Sequence, residues 1–222
     1  MATRRSQAIR TRRGINDGCA PALPSRSAGA TAQVTLADAL TEFMDHTLKA
    51  YPDLQAPFDP DWRSPCEIGE PFETDQGTLI AWRPMRRHPD SVTEDFAPVE
   101  RALEISIHPD IKAYYGAYWS AGLEAEAVDG HVSLLFAWNP EDMERLNENL
   151  IGHALSKKVA KGRPMSVFFA CTEPDSELFL SVDNDSGVVL LEKPGYRPIR
   201  EVAPDLASFL TTLVPAPPEL HP

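Results

Sequence analysis

The sequence predicts an α+β protein: a single domain with a mostly antiparallel central sheet covered by helices. Three observations carry that prediction. Two runs, Leu123–Val128 and His131–Trp138, alternate apolar and polar residues around an Asp129-Gly130 pair, the pattern of a β-hairpin. Three more strand-length apolar runs follow between residues 165 and 192, separated by turn residues. Around these strands lie segments whose apolar residues recur at helical spacing. Strands joined by tight turns pair antiparallel, and amphipathic helices must bury their apolar face against the sheet.

Leu36, Leu40, Phe43, Met44, Leu48 and Tyr51 share one helical face, so Thr35–Ala50 is expected as a helix started by Thr35 and ended before Pro52. The Pro- and Asp-rich residues 51–65 read as a loop. Short strands are expected near Cys66–Gly69 and Thr78–Arg83, with Arg83–Pro98 as a second surface loop. Pro98–Leu103 reads as a helical turn running into Glu104–Ile107, and Pro109–Trp119 as a helix. In the hairpin, a type I′ turn on Asp129-Gly130 would set Glu126 opposite Ser133, Ala125 opposite Leu134 and Glu124 opposite Leu135. One hairpin face is then apolar, while Glu124, Glu126 and His131 share the other.

Asn139-Pro140 opens the best-signalled helix, with Asn139 as N-cap, Pro140 at the first position and Glu141, Asp142 and Glu144 in the first turn. Met143, Leu146, Leu150 and Ala154 form its buried stripe. Lys157, Lys158 and Lys161 oppose the dipole at the far end, where Gly162 and Pro164 stop it. Asn147, close to the centre of that stripe, is expected to satisfy a buried backbone group. Strands follow at Met165–Thr172, Glu177–Val182 and Val188–Glu192, then a helix at Pro204–Leu213. Asp183–Gly187 resembles a calcium loop, but Pro194 stands where the bidentate glutamate belongs, so it reads as a hairpin turn.

Charge divides the chain. Residues 1–33 hold six arginines against one acid, which leaves 15 lysines and arginines against 32 acids in the remainder, a formal −17 rather than −12. The organisation expected is an Arg-rich tail or misassigned start at 1–33, a domain at 34–214 and a polar, Pro-rich tail at 215–222. A −17 body disfavours nucleic acid and anionic lipid and favours a basic partner. Three cysteines without a C-x-x-C pair indicate neither a disulfide framework nor a zinc site, and Cys171 is expected as a buried small hydrophobe. No apolar run is long enough to span a bilayer.

The usual catalytic motifs are absent, and no cofactor or metal is expected. A Cys66/His153 base–nucleophile pair is the only catalytic alternative. The acidic residues are better candidates: Glu67, Glu70, Glu73 and Asp75 fall within nine residues; Glu94, Asp95, Glu100 and Glu104 surround a short helix; Glu124 and Glu126 project from one strand face about 7 Å apart. Converged on one concave surface they would hold Arg and Lys side chains.

Several stretches resemble the Syd family of SecY-interacting proteins in order and spacing. They are Glu148-Asn149-Leu150-Ile151-Gly152-His153 with Lys157-Lys158, Ser64-Pro65-Cys66, Trp82 with Pro84, Val99-Glu100-Arg101-Ala102, the Tyr114–Gly122 region, Leu134-Leu135 with Trp138, and Leu206–Leu213. The resemblance spans residues 37 to 213. It implies a fold akin to the SUKH superfamily and a non-enzymatic, monomeric protein of the bacterial cytoplasm. It further implies peripheral attachment to the inner membrane, where an acidic concave surface binds cytosolic loops of the SecY channel. Such loops are rich in Lys and Arg, which suits the −17 body. Of the candidate acids, Glu100 falls on a family motif position. The SUKH likeness leaves a second expectation, an immunity-type protein that neutralises a basic toxin. The Arg-rich first 33 residues and Arg86-Arg87 depart from the family pattern.

Overall fold

The computed structural model describes residues 34–69, 73–88, 95–159, 165–173 and 176–218. The chain starts with α1 (Leu36–Ala50), whose N-cap Thr35 accepts the Asp38 N–H at 3.2 Å, and the helix buries Leu36, Leu40, Phe43 and Met44. The expected loop at 51–65 contains a strand, β1 (Gln55–Pro57), paired antiparallel with β2 (Leu79–Ala81). The strand expected at Cys66–Gly69 is reduced to one bridge, Glu67 to Trp82.

Residues 83–98 are not simply a surface loop. β3 (Met85–Arg86) pairs with β4 (Tyr118–Trp119), and Arg87 is buried. Its guanidinium lies 3.7 Å from the centroid of the Trp119 ring and 2.8 Å from Asp95 Oδ2, and it donates to the Tyr115 carbonyl at 3.1 Å. An arginine in sequence reads as exposed charge. Here aromatic stacking and a carboxylate replace its water. α2 (Ala97–Leu103) ends on Glu104 in the left-handed region at φ 56°, and α3 (Pro109–Ala117) is capped by His108.

Seven strands form the main sheet: β5 (Leu123–Ala127), β6 (Gly130–Leu134), β7 (Ser166–Cys171), β8 (Phe179–Asp183), β9 (Val189–Glu192), β10 (Arg200–Ala203) and β11 (Val214–Pro215). Their order is β10-β9-β8-β7-β6-β5-β11, with every pairing antiparallel. α4 (Pro140–Val159) connects β6 to β7, and α5 (Leu206–Leu210) precedes β11. α1 packs on α3, α5 and β11, while α2 packs on α4. The central core stacks Tyr114 on Phe136 at 4.9 Å and sets Phe169 edge-on to both Tyr114 and Phe209.

The hairpin turn lies one residue earlier than expected, which slides the pairing of the two strands by two positions. Ala127 faces Gly130, Glu126 faces His131, Ala125 faces Val132 and Glu124 faces Ser133, so Val128-Asp129 form the loop and Val128 is 88% exposed. Gly130 takes φ 127°, which leaves the turn one residue earlier than an Asp-Gly I′ turn would place it. A shift of two preserves which face each side chain takes.

Within the main sheet, two strands differ from expectation. β10 adds an edge beyond β9, and β11 adds the other edge beside β5, with Val214 opposite Glu126 and Pro215 opposite Ala125. Pro215 is tolerated because an edge strand can leave one side without N–H donors. Ala216 is buried and donates its N–H to the Glu124 carbonyl at 2.8 Å, so the fold runs past residue 214. Cys171 is exposed, not buried: a bulge between Phe168 and Ala170 shifts the alternation, so the last residue of β7 turns away from the core. The Asp183–Gly187 turn is as expected, with Asp183 Oδ1 accepting the N–H groups of Asp185 and Ser186. The Arg-rich stretch 1–33 and residues Lys161, Gly162 and Pro164 lie outside the described residues.

Candidate functional site

Strand register places a set of polar side chains on the sheet face opposite the apolar one. Following opposed pairs from β5 to β9 gives one row across five strands: Glu124, Ser133, Cys171, Phe179, Glu192. Directly opposed residues share a face, so these five project together. Beside this row, toward the hairpin tip, Glu126 opposes His131. On the other side run Phe168, Ser181, Leu190 and Glu201. The acids of this face are thus Glu124, Glu126, Glu192 and Glu201, and Glu173 joins them by accepting the His131 N–H at 3.1 Å.

His131 organises the hairpin end. Its Nε2 lies 2.8 Å from Glu124 Oε2 and its Nδ1 lies 3.2 Å from Glu126 Oε1. Burial pulls the imidazole toward neutrality, but the hydrogen bonds to Glu126 and Glu124 outweigh it and raise the pKa above the ordinary histidine value. Glu124 also accepts the Ser133 hydroxyl at 2.9 Å and is only 3% exposed. Glu126 keeps a side chain 59% exposed. Glu124 therefore fixes the arrangement, and Glu126, with exposed Glu173 and Glu201, presents charge outward. Glu192 is buried and accepts the Ser181 hydroxyl at 2.5 Å.

The sheet curls enough for its far parts to meet. Arg200 on β10 forms an ion pair with Asp129 in the β5–β6 turn, although three strands lie between β10 and β6 in the sheet order. That ion pair sets the hairpin tip beside the β10 edge.

The other candidate acids have separate duties. Glu67 is held by Arg63 Nε at 2.6 Å and the Ser64 N–H at 3.0 Å, with its side chain 4% exposed. Glu100 takes the Ile107 N–H at 2.9 Å and Lys112 at 2.6 Å; the Lys112 hydrogen bond, then the Ile107 N–H, hold its pKa below the usual carboxylate value. Glu104 is exposed at the end of α2, and Glu73 and Asp75 are exposed in the loop before β2. Glu70 and Glu94 lie outside the described residues. Among the described candidates, Glu124 and Glu126 are joined to each other through His131. Glu192, Glu201 and Glu173 do not stand out in the sequence, because their grouping with Glu124 depends on cross-strand pairing over β7, β8 and β9. The alternation of β8 and β9 contained that signal.

The Cys66/His153 alternative loses its chemistry. Cys66 is 3% exposed, and burial raises its thiol pKa, opposite to what a nucleophilic thiolate needs. Among the described residues no group of three or more His, Cys, Asp or Glu side chains could hold a metal ion. None of their helices is long and apolar enough to cross a membrane.

The fold defines a single-domain α+β protein with a central antiparallel sheet, one face of which carries Glu124, Glu126, Glu192 and Glu201. The family model described as "Syd protein (SUKH-2)" matches residues 32–215, and the chain belongs to the Syd family. It is 40% identical over 158 residues to Protein Syd of Pseudoalteromonas atlantica, covering 71% of this chain and 82% of that one. It is 40% identical over 157 residues to Protein Syd of Colwellia psychrerythraea, covering 70% and 78%. With Protein Syd of Psychromonas ingrahamii it is 38% identical over 186 residues, covering 83% and 96%.

Proposed function

We propose that this chain is a non-enzymatic docking protein that binds basic cytosolic loops of the SecY channel through the acidic face of its sheet, and so monitors or regulates that channel. The observation that carries the reading is the grouping of Glu124, Glu126, Glu173, Glu192 and Glu201 around one sheet face of a body with formal charge −17. Such a field speeds encounter with Arg- and Lys-rich segments and fixes their orientation more than it adds raw affinity. Action at the cytoplasmic side of the inner membrane, as a peripheral monomer, belongs to the same proposal.

The test is binding of the full chain to SecY-containing vesicles at two salt concentrations, with Glu126→Lys and Glu201→Lys compared with the parent. These side chains are exposed, so reversal leaves the core intact. Affinity should fall steeply between roughly 0.05 and 0.3 M salt, since exposed charges are screened over about 8 Å at 0.15 M. Each reversal should weaken binding about fivefold or more. Unchanged affinity in both variants would remove the sheet face from the interface. The SUKH designation of the family gives the second reading its footing: recovery of a basic toxin, and not SecY, as the salt-sensitive partner would favour an immunity role.

A further inference from the structure

His131 reaches two carboxylates with a single ring, Glu124 Oε2 from Nε2 at 2.8 Å and Glu126 Oε1 from Nδ1 at 3.2 Å. A neutral imidazole has one N–H and one lone pair, and an ionised carboxylate can only accept. Both contacts are hydrogen bonds only if the cluster holds one proton more than a neutral ring and two carboxylates contain. The ring is the place for it, since a cation between two anions is favoured there, and the raised pKa agrees. In this arrangement His131 is therefore an imidazolium, and the three side chains together carry one negative charge instead of two.

The two arms of the cluster are not equivalent. Glu124 is 3% exposed and also accepts the Ser133 hydroxyl at 2.9 Å, which fixes it in place. Glu126 has a side chain 59% exposed and no partner other than His131 among the described residues. The neighbouring elements supply no substitute for the ring. β11 sets uncharged Val214 opposite Glu126, and beyond the end of β7 Glu173 accepts the His131 backbone N–H. The Cys171 thiol is pushed up by burial and stays neutral near pH 7. Arg200, the cation that β10 brings, is paired with Asp129.

We propose that His131 is a proton-operated latch on Glu126, and that docking of a basic segment on this face strengthens as the latch opens with rising pH. The inference rests on the docking role proposed above and names its regulation. When the ring gives its Nδ1 proton to solvent, the N–H left on Nε2 keeps the bond to Glu124. A nitrogen lone pair then faces the Glu126 carboxylate and repels it, so Glu126 turns outward and the cluster gains a second negative charge. By linkage, an arginine that takes Glu126 from the ring also drives the proton off.

The experiment has two readouts on the full chain. NMR follows the His131 ring nitrogens and the Glu126 Cδ from about pH 6 to about pH 8.5; both nitrogens should be protonated at the acid end, and the Cδ should move with the ring's midpoint, above about 6.5. Binding of a hexa-arginine peptide blocked at both ends is then measured across the same range, because arginine keeps its charge throughout. His131→Gln should bind the peptide about fivefold more tightly than the parent at the acid end, as one exposed charge pair allows, and about equally at the alkaline end. Comparing variant with parent at each pH cancels the other histidines, which both chains share. The latch is overturned if the ring is a neutral tautomer at the acid end, if the Glu126 Cδ ignores the ring's titration, or if the affinity ratio is the same at both ends. Salt-sensitive binding to SecY-containing vesicles in such a case would leave the docking role standing. A shared midpoint and a changing ratio with no vesicle binding would retire SecY docking and keep the latch.

Discussion

His131 carries a pH dependence whose direction follows from its two carboxylate partners. Its pKa is raised in the folded chain, so its stabilising contribution is full below the ordinary value of about 6.5 and is lost as pH rises through the higher folded value. The difference in melting temperature between the parent and His131→Gln should be largest near pH 5.5 and should shrink toward pH 8.5; a difference that is flat across that range would contradict the pairing. Tyr114 offers a contrast. Its ring is wholly buried, and its hydroxyl has no hydrogen-bond partner among the described residues. Tyr114→Phe should leave stability unchanged or raise it by up to about 1 kcal/mol in urea unfolding, because it removes a desolvated polar group without opening a cavity. A loss of more than about 1 kcal/mol would mean that the hydroxyl is satisfied.

Among the elements, α4 was the most readable and is the most testable at its start. Asn139 Oδ1 accepts the Asp142 N–H at 2.8 Å, and its Nδ2 donates to the Arg63 carbonyl at 3.0 Å. The residue therefore caps a helix and ties a distant loop to it. Asn139→Ala should cost about 1 to 2 kcal/mol by chemical denaturation, at the upper end of the range for caps. A cost near zero would show that the cap is redundant. The helices could be read because caps and 3.6-residue spacing are local signals, as Thr35 and Asn139 illustrate. β10 and β11 could not be read, since Arg200–Ala203 and Val214–Pro215 are short, half-polar edges whose pairing depends on residues far away in sequence. Cys171 was misplaced for a related reason: a bulge leaves no trace in a run of apolar residues.

At the scale of the whole molecule, the candidate site was half visible. Glu124, Glu126 and His131 could be grouped from one hairpin, because two-residue alternation alone decides their side. Their joining with Glu192 and Glu201 needs the sheet order, which a sequence read strand by strand does not contain. Glu67 and Glu100 show the opposite failure. Both looked like free surface charge, and both are bound by nearby basic residues and backbone N–H groups. Arg87 was hidden in the same way, since a basic residue gives no sign in sequence that a tryptophan ring and an aspartate will enclose it.

The position of the hairpin turn bears on how the chain reaches this state. During folding the Asp129-Gly130 dipeptide offers a competing loop, and pairing through it slides β5 past β6 by two positions. The slid hairpin deprives Glu126 of its opposition to His131, yet it keeps every carboxylate on the same side and every apolar residue on the other. An early hairpin closed on the wrong dipeptide can therefore still dock onto the core correctly. It needs only to creep along its partner strand, without peeling away and turning over, before Glu124 and Glu126 find their histidine.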